Sequence, residues 1–448
     1  MAAIHPFTAI RYLNPELSTL VAPPYDVLSG ADKARLLTAN GHNIVAVDLP
    51  HIPPKEAGPD VAYGNAAHTL ATWLEAQILH RDETPALYPY QQTYQWGTTT
   101  YQRRGLFCRV RLEDFGPGGS VHPHEQTFSG PKEDRLKLIR ATRCNLSPVF
   151  GLYDDAQNVI TEKLFSALGL SDPMAVADLP AIDGQSLIRS EIWAVTDVAV
   201  IKEIQLLLAE KHLYIADGHH RYTTSLNYRK ELSERRGVPL SHDDPANFAM
   251  FVLVAMQDPG LIIMPTHRVI ATESLTNFSM AEFIKQAQAT CKVTKTDFKA
   301  ANLAELENAL PNYGLHAMGI YDPADDAAYI LQPVSADPLQ AYAQDPVLAS
   351  KSAPWRQLDV AILQHLVFER MIQPHFVNTC KTMQWAFPHE AHEVASLCAK
   401  GKYRVGFLLQ PTPLEAVRDL CNAGELMPQK STYFYPKLAT GMVLSPLY

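Results

Sequence analysis

One short run constrains the fold more than any other part of the chain. "LYIADGHHRYTTSL", Leu213 to Leu226, passes from four apolar strand-forming residues through an Asp-Gly turn into a helical run. Asp-Gly ends the strand because glycine accepts backbone angles that other residues resist. The chain must therefore hold a strand–turn–helix unit, with the strand over Leu213 to Ala216 and the helix continuing from Tyr222 to about Arg236. Such a unit belongs to an α+β (mixed α/β) protein and not to an all-helical or all-strand one.

The rest of the chain alternates in the same way. Pro23 and Pro24 in "LVAPPYDV" forbid helix and predict an extended segment presenting Tyr25 and Asp26. A helix ends near Asn40, and "NIVAVDLP" predicts a short apolar strand with Asp48 near its end. Residues 61 to 80 carry helical spacing, and "ALYPYQQTYQW" with "TYQRRGLFCRVRLEDF" predicts a strand pair. "GPGGS" lacks the lysine and hydroxyl of a P-loop and is a turn. Pro131, followed by Glu133 and Asp134, predicts a helix start, and Val198 to Leu208 is another apolar helix. From about residue 270 the pattern mixes elements more evenly. "SMAE" and "TPLE" have capping-box spacing, "MGIYDPADDAAYILQP" predicts a hairpin, and residues 335 to 355 predict a surface connection. "WRQLDVAILQHLVFERMI" predicts a helix with Leu358, Ile362 and Leu366 on one stripe.

Composition excludes several classes. At 448 residues with 47% hydrophobic and 19% charged, the chain can bury its own core and predicts two or three domains. A net charge of −9 argues against nucleic-acid and anionic-membrane partners. Six scattered cysteines without a CxxC pair fit neither a disulfide framework nor a zinc ribbon. No apolar stretch reaches membrane-spanning length and no signal peptide opens the chain, so a cytoplasmic location is expected.

The chemistry concentrates in "DGHHR". A helix N-terminus carries N–H groups without intrahelical acceptors and a partial positive charge, which suits an anion. Gly218 lets backbone approach it, Arg221 adds a two-pronged donor, and His219 and His220 can donate to phosphate or pass protons. Asp217 can cap the helix, hold a metal ion or accept a proton. In "HPHEQTFSGPKEDR", Lys132 and Arg135 are candidate phosphate clamps, Glu125 a candidate base or magnesium ligand, and His124 a candidate substrate contact. Magnesium suits oxygen ligands and phosphate better than zinc does. Tyr25 and Asp26 are a candidate substrate contact and catalytic acid, and "MPQKSTYFYPK" offers Lys430, Ser431, Thr432 and Lys437 for substrate. "PTHR" (His267, Arg268) is read as a surface pair, His365 as flanking a helix stripe, and His242 as a loop residue.

"PFTAIRY", "LVAPPYDV", "HEQTFSGPKEDR", "NLSPVFGLY", "ADGHHRYTTSL", "MPTHR" and "MPQKSTYFYPK", spread over residues 6 to 441, resemble the family known as domain of unknown function 1015. "DGHHR" between strand and helix also resembles the ParB/sulfiredoxin superfamily, with the free-serine kinases as functional analogue. The resemblance implies a ParB/sulfiredoxin-like nucleotide-binding core over residues 1–270 and an elaborated C-terminal half over 271–448, whose terminal strand completes the site. It also implies a magnesium-dependent phosphotransferase using ATP or ADP on a small hydroxylated metabolite such as serine. Two alternatives stay open: hydrolysis of a small phosphorylated metabolite such as phosphoserine, or a non-catalytic nucleotide-binding regulator.

Overall fold

The computed structural model describes residues 3–448 except 117, 128, 182, 183, 185 and 378–382. The chain is mixed α/β and packs as two units, residues 1–262 with 436–448, and residues 263–435.

The first unit is built on a nine-stranded sheet. Its strands in chain order are β1 (Ile4–His5), β2 (Tyr88–Trp96), β3 (Thr99–Arg111), β4 (Val121–His122), β5 (Val149–Tyr153), β6 (Ala175–Pro180), β7 (Leu187–Ile192), β8 (Leu213–Asp217) and β9 (Phe248–Ala255). They lie in the order β4-β8-β5-β9-β3-β2-β7-β6, with β1 on β3. Pairing is parallel at β4/β8 and β5/β9 and antiparallel elsewhere. The sequence of β9, "FAMFVLVA", is an unbroken apolar run because every one of its residues is buried, as a central strand covered on both faces requires.

Helices in the same unit are α1 (Gly30–Ala39), α2 (Val45–Asp48), α3 (Asp60–Glu75), α4 (Ser129–Thr142), α5 (Val159–Ser166), α6 (Val198–Ala209) and α7 (His219–Arg236). The core joins Ile160 and Leu164 of α5, Ile201, Ile204 and Leu208 of α6, and Tyr222 of α7 to Leu213, Ile215, Phe251 and Leu253 of the sheet. A smaller cluster joins Leu136 and Ile139 of α4 to Tyr228 of α7 and Leu447 near the C-terminus. Residues 436–448 return to this unit: Ser445 and Pro446 pair with Asn145 and Cys144, and Leu444 and Thr440 bridge Ile10 and Ala22.

The second unit carries a six-stranded sheet and a core that includes Val269, Leu303, Leu306, Ile330, Val394 and Leu408. Met318–Asp322 and Ala327–Pro333 form the hairpin expected from sequence. Residues Asp359 to Phe376 are helical throughout, and Leu363–Ile372 within them are π-helical, with Leu358, Ile362 and Leu366 buried.

Several sequence expectations are corrected here. "VAVD" is a helical turn and not a strand, because the Asn43 side chain accepts the Val45 N–H at 3.0 Å and starts a helix. Tyr25–Val27 is a 3₁₀ turn and not an extended segment; Pro24, at φ −58°, leads straight into it. The helix start expected at Pro131 is present: α4 begins at Ser129, and Pro131 sits in its first turn, where its missing N–H has no intrahelical role. Ser279 caps its helix, but Thr412 does not cap Leu414–Asn422; its hydroxyl donates to Ser431 O instead. Residues 335–355 are more than a surface connection, since they form three short helical turns and bury Leu339, Leu348 and Trp355. His267 and Arg268 are interior and not a surface pair: His267 Nδ1 accepts the Leu409 N–H at 3.1 Å, and Arg268 Nη2 donates to Lys430 O at 2.9 Å. Of the six cysteines, Cys380 lies outside the described residues and the other five are buried free thiols. Among the described residues no helix is long and apolar enough to cross a membrane.

Candidate functional site

The site grows from the junction of β8 and α7. The helix starts at His219, directly after Gly218, which sits at the cap position with φ 93° in the left-handed region. Only glycine enters that region without strain, and here space adds a second restriction. A Cβ at Gly218 would stand 3.0 Å from the Arg221 guanidinium, which folds back over the glycine. Arg221 Nη1 donates to Pro148 O, and its Nη2 lies 3.5 Å from Asp217 Oδ1.

Asp217 makes no side-chain cap, which corrects one role expected for it. Its second oxygen accepts from Lys437 Nζ at 3.1 Å. Burial pushes the carboxyl pKa up, but Lys437 and Arg221 outweigh burial and hold it well below the usual carboxylate range. A carboxylate held by two cations is a weak proton acceptor, and these contacts orient Arg221 and Lys437.

The two adjacent histidines face different surroundings. His219 is buried, and its Nε2 accepts the His124 backbone N–H at 3.2 Å. His124 is also buried, with its ring edge-on to His219 at 4.6 Å between centroids and its Nδ1 donating to Ile215 O at 2.7 Å. Burial lowers both pKa values, and His124 lowers that of His219 further. His219 as a phosphate contact and His124 as a substrate contact are therefore corrected, since both rings pack inside the junction. His122 leaves this group and meets His212 at 2.7 Å.

His220 is half-buried among charges. Burial lowers its pKa to about 4; Asp26 opposes the shift, and Lys132, Lys55 and Arg221 add to it. It is neutral at pH 7, so one ring nitrogen is a donor and the other an acceptor. Asp26 is partly buried, and its Oδ1 is buried with no hydrogen-bond partner among the described residues. A buried polar oxygen without a partner costs about 1–3 kcal/mol. Glu125 is partly buried beside His124, and Lys132 is partly buried.

Arg135 is not an open phosphate clamp. It is buried, with Nε donating to Asp134 Oδ2 at 2.8 Å, Nη1 to Asp48 O at 2.7 Å, and its guanidinium 3.8 Å above the Tyr25 ring. Tyr63 donates to Asp134 Oδ1 at 2.7 Å and Ser147 to Asp48 Oδ1 at 2.9 Å, so both carboxylates beside Arg135 accept a further hydrogen bond. Tyr25 is buried beneath this cation, which corrects it as an open substrate contact. Asp48, Arg135, Ser147 and Arg221 line a cavity of about 40 Å³, room for a water molecule and not for a nucleotide. Asp48 was named from sequence only as near the end of a strand, and Lys55 was not named. Both lie around the short α2 segment misread as a strand, and neither falls in a motif.

The lysine-rich C-terminal run divides between the units. Lys437 belongs to the first and reaches Asp217; Lys430, Ser431 and Thr432 belong to the second. There Lys430 is exposed, while Ser431 is buried and donates to Pro428 O. Among the described residues no three His, Cys, Asp or Glu side chains gather in a metal-holding group.

Residues 4–361 match the family described as protein of unknown function (DUF1015). No curated protein matches the chain. Among solved structures, a free serine kinase in complex with AMP aligns at 10% identity and a TM-score of 0.30, covering 72% of this chain and 89% of that one. A conserved hypothetical protein from Pyrococcus furiosus aligns at 12% identity and a TM-score of 0.31, covering 72% and 92%. SbnI from Staphylococcus aureus, with a C-terminal truncation, aligns at 10% identity and a TM-score of 0.33, covering 76% and 87%.

Proposed function

The chain belongs to the family of protein of unknown function DUF1015, a membership that names no reaction, and from its own residues we propose that the first unit is a nucleotide-binding phosphotransferase acting on a small hydroxylated metabolite. One observation carries this reading: neutral His220 stands at the start of an 18-residue helix, where Lys132, Lys55 and Arg221 act on it as cations and Asp26, with its unpartnered inner oxygen, acts on it as a carboxylate. Cations at a helix N-terminus bind and neutralise phosphate, and phosphoryl transfer depends mainly on positioning and charge.

In this reading the amino end of α7 and Arg221 take the donor phosphates, and Lys132 and Lys55 offset charge on the transferred group. The acceptor hydroxyl donates to Asp26 as its oxygen attacks phosphorus. The bond from phosphorus to the nucleotide's bridging oxygen breaks, and the proton passes to Asp26. His220 donates to a phosphate oxygen without adding charge.

Each oxygen of Asp217 already faces a cation, so Asp217 does not fit a metal-ligand role. Asp26, with its unpartnered oxygen, and Glu125 are the carboxylates that would meet a magnesium ion carried on the nucleotide phosphates, where the ion would offset phosphate charge.

The test is to titrate ADP and ATP into the protein by calorimetry, then incubate each nucleotide with serine and a panel of hydroxy acids. Nucleotide binding with a phosphorylated product is expected. Absence of nucleotide binding in either form overturns the reading.

A further inference from the structure

The second unit holds a separate cavity of about 350 Å³, in the range of small-molecule sites. Its wall includes His316, Gln357, Asp359, Gln410, Thr412 and Asp419. Nothing in the reading of the first unit uses these residues.

His316 fixes this wall. It is buried, with φ 58°, a left-handed conformation that a histidine adopts only under constraint. The constraint is on the ring: Nδ1 lies 2.6 Å from Asp359 Oδ1 and Nε2 lies 3.2 Å from Ala336 O. Both ring nitrogens are engaged, so the ring offers nothing to a ligand. It does hold Asp359 in place and leave that carboxylate's Oδ2 without a hydrogen bond among the described residues.

The remaining side-chain groups share one polarity. Gln410 Nε2 donates to Ala317 O at 3.1 Å, which turns its Oε1 into an open acceptor. Thr412 spends its hydroxyl proton on Ser431 O at 2.7 Å and keeps only lone pairs. Asp419 Oδ1 meets Arg418 Nε at 3.0 Å, and its other oxygen has no hydrogen bond among the described residues. Gln357, exposed at the rim, can present either end of its amide. Leu315, Leu358, Pro411 and Pro413 supply the apolar remainder.

We propose that this cavity binds a small organic ammonium compound, its –NH₃⁺ group on Asp359 Oδ2 and Gln410 Oε1 and its aliphatic stem against Leu358 and the prolines. A hydroxyl brings one donor and an ammonium three, so a wall of open acceptors selects the ammonium. Free amino acids and diamines share this group.

The test uses the full chain, with calorimetry and thermal unfolding in the presence of 1,4-diaminobutane, lysine and the neutral 1,4-butanediol. Binding of either amine with none of the diol is expected, and binding of lysine but not the diamine assigns the site to an amino acid. Asp359→Asn weakens the bound amine about tenfold or more. Because that change also touches His316, Asp419→Asn and Gln410→Leu, which leave the His316 contacts intact, are measured beside it, and at least one of them also weakens binding. Equal binding of diol and amines, or amine binding unchanged in all three variants, overturns the proposal.

Discussion

Arg221 meets Asp217, Pro148 O and the space over Gly218 at once, so its guanidinium is oriented before any ligand arrives. Charge-assisted hydrogen bonds from such a group contribute about 1.5–3 kcal/mol. Arg221→Ala should therefore weaken ADP binding roughly 10- to 100-fold by calorimetry, whereas Asp26→Asn should leave binding within a few-fold and remove turnover. If Asp26→Asn turns over at the native rate, the role given to Asp26 is wrong. His124, His219 and His220 all have pKa values below that of a free histidine. As pH falls from 6.5 towards about 4, the unfolded chain binds protons that the folded chain refuses. The stability they contribute is fully present above 6.5 and is lost on acidification through that window. Denaturant midpoints from pH 4.5 to 7.5 should climb with pH, and more shallowly in His220→Asn; an identical slope in that variant would count against its burial as a neutral ring.

Elements meet by close backbone approach at several points, and Gly260 is the tightest. A Cβ there would fall 2.1 Å from Gln102 O in β3, while Gly260 O accepts the Tyr94 hydroxyl of β2 at 2.8 Å. Gly260→Ala should lower unfolding free energy by about 1–3 kcal/mol or more, read by urea denaturation. Nothing in "DPGLIIMP" marks this glycine as different from an ordinary turn residue. The strand pair β2/β3, the α6 helix and the β8–α7 junction were legible because long periodic runs and turn residues report local structure directly. "VAVD" was not, since three apolar residues before an aspartate fit a buried strand and a helical turn equally well. Arg135 was identified but misjudged for a related reason: a sequence shows that a cation exists, and only the fold shows that Asp48 and Asp134 already match it. His267 and Arg268 were misjudged in the opposite direction, as polar residues each tied by a hydrogen bond to a segment more than 100 residues away.

At the scale of the molecule, residues 436–448 finish the first unit after the chain has built the second. Ending the chain after Tyr435 removes Lys437, the pairing with Cys144–Asn145 and Leu447 from the α4/α7 cluster. The shortened chain should show a lower melting temperature and no nucleotide binding. Lys437→Met separates the two effects, lowering the melting temperature less than the truncation does, because Arg221 still faces Asp217, and weakening nucleotide binding. Native-like melting of the shortened chain would show that the returning segment does not hold the unit together.

That returning segment also sets an order of events during synthesis. The partner for Asp217 emerges only after residues 263–435 have been made, roughly 10–30 s later at about 5–20 residues per second. Until then the strand–glycine–helix junction carries an acid facing Arg221 alone. A nascent chain interrupted anywhere in the second unit lacks the lysine that pairs with Asp217, so the charge set at this junction is completed only once Lys437 has been made.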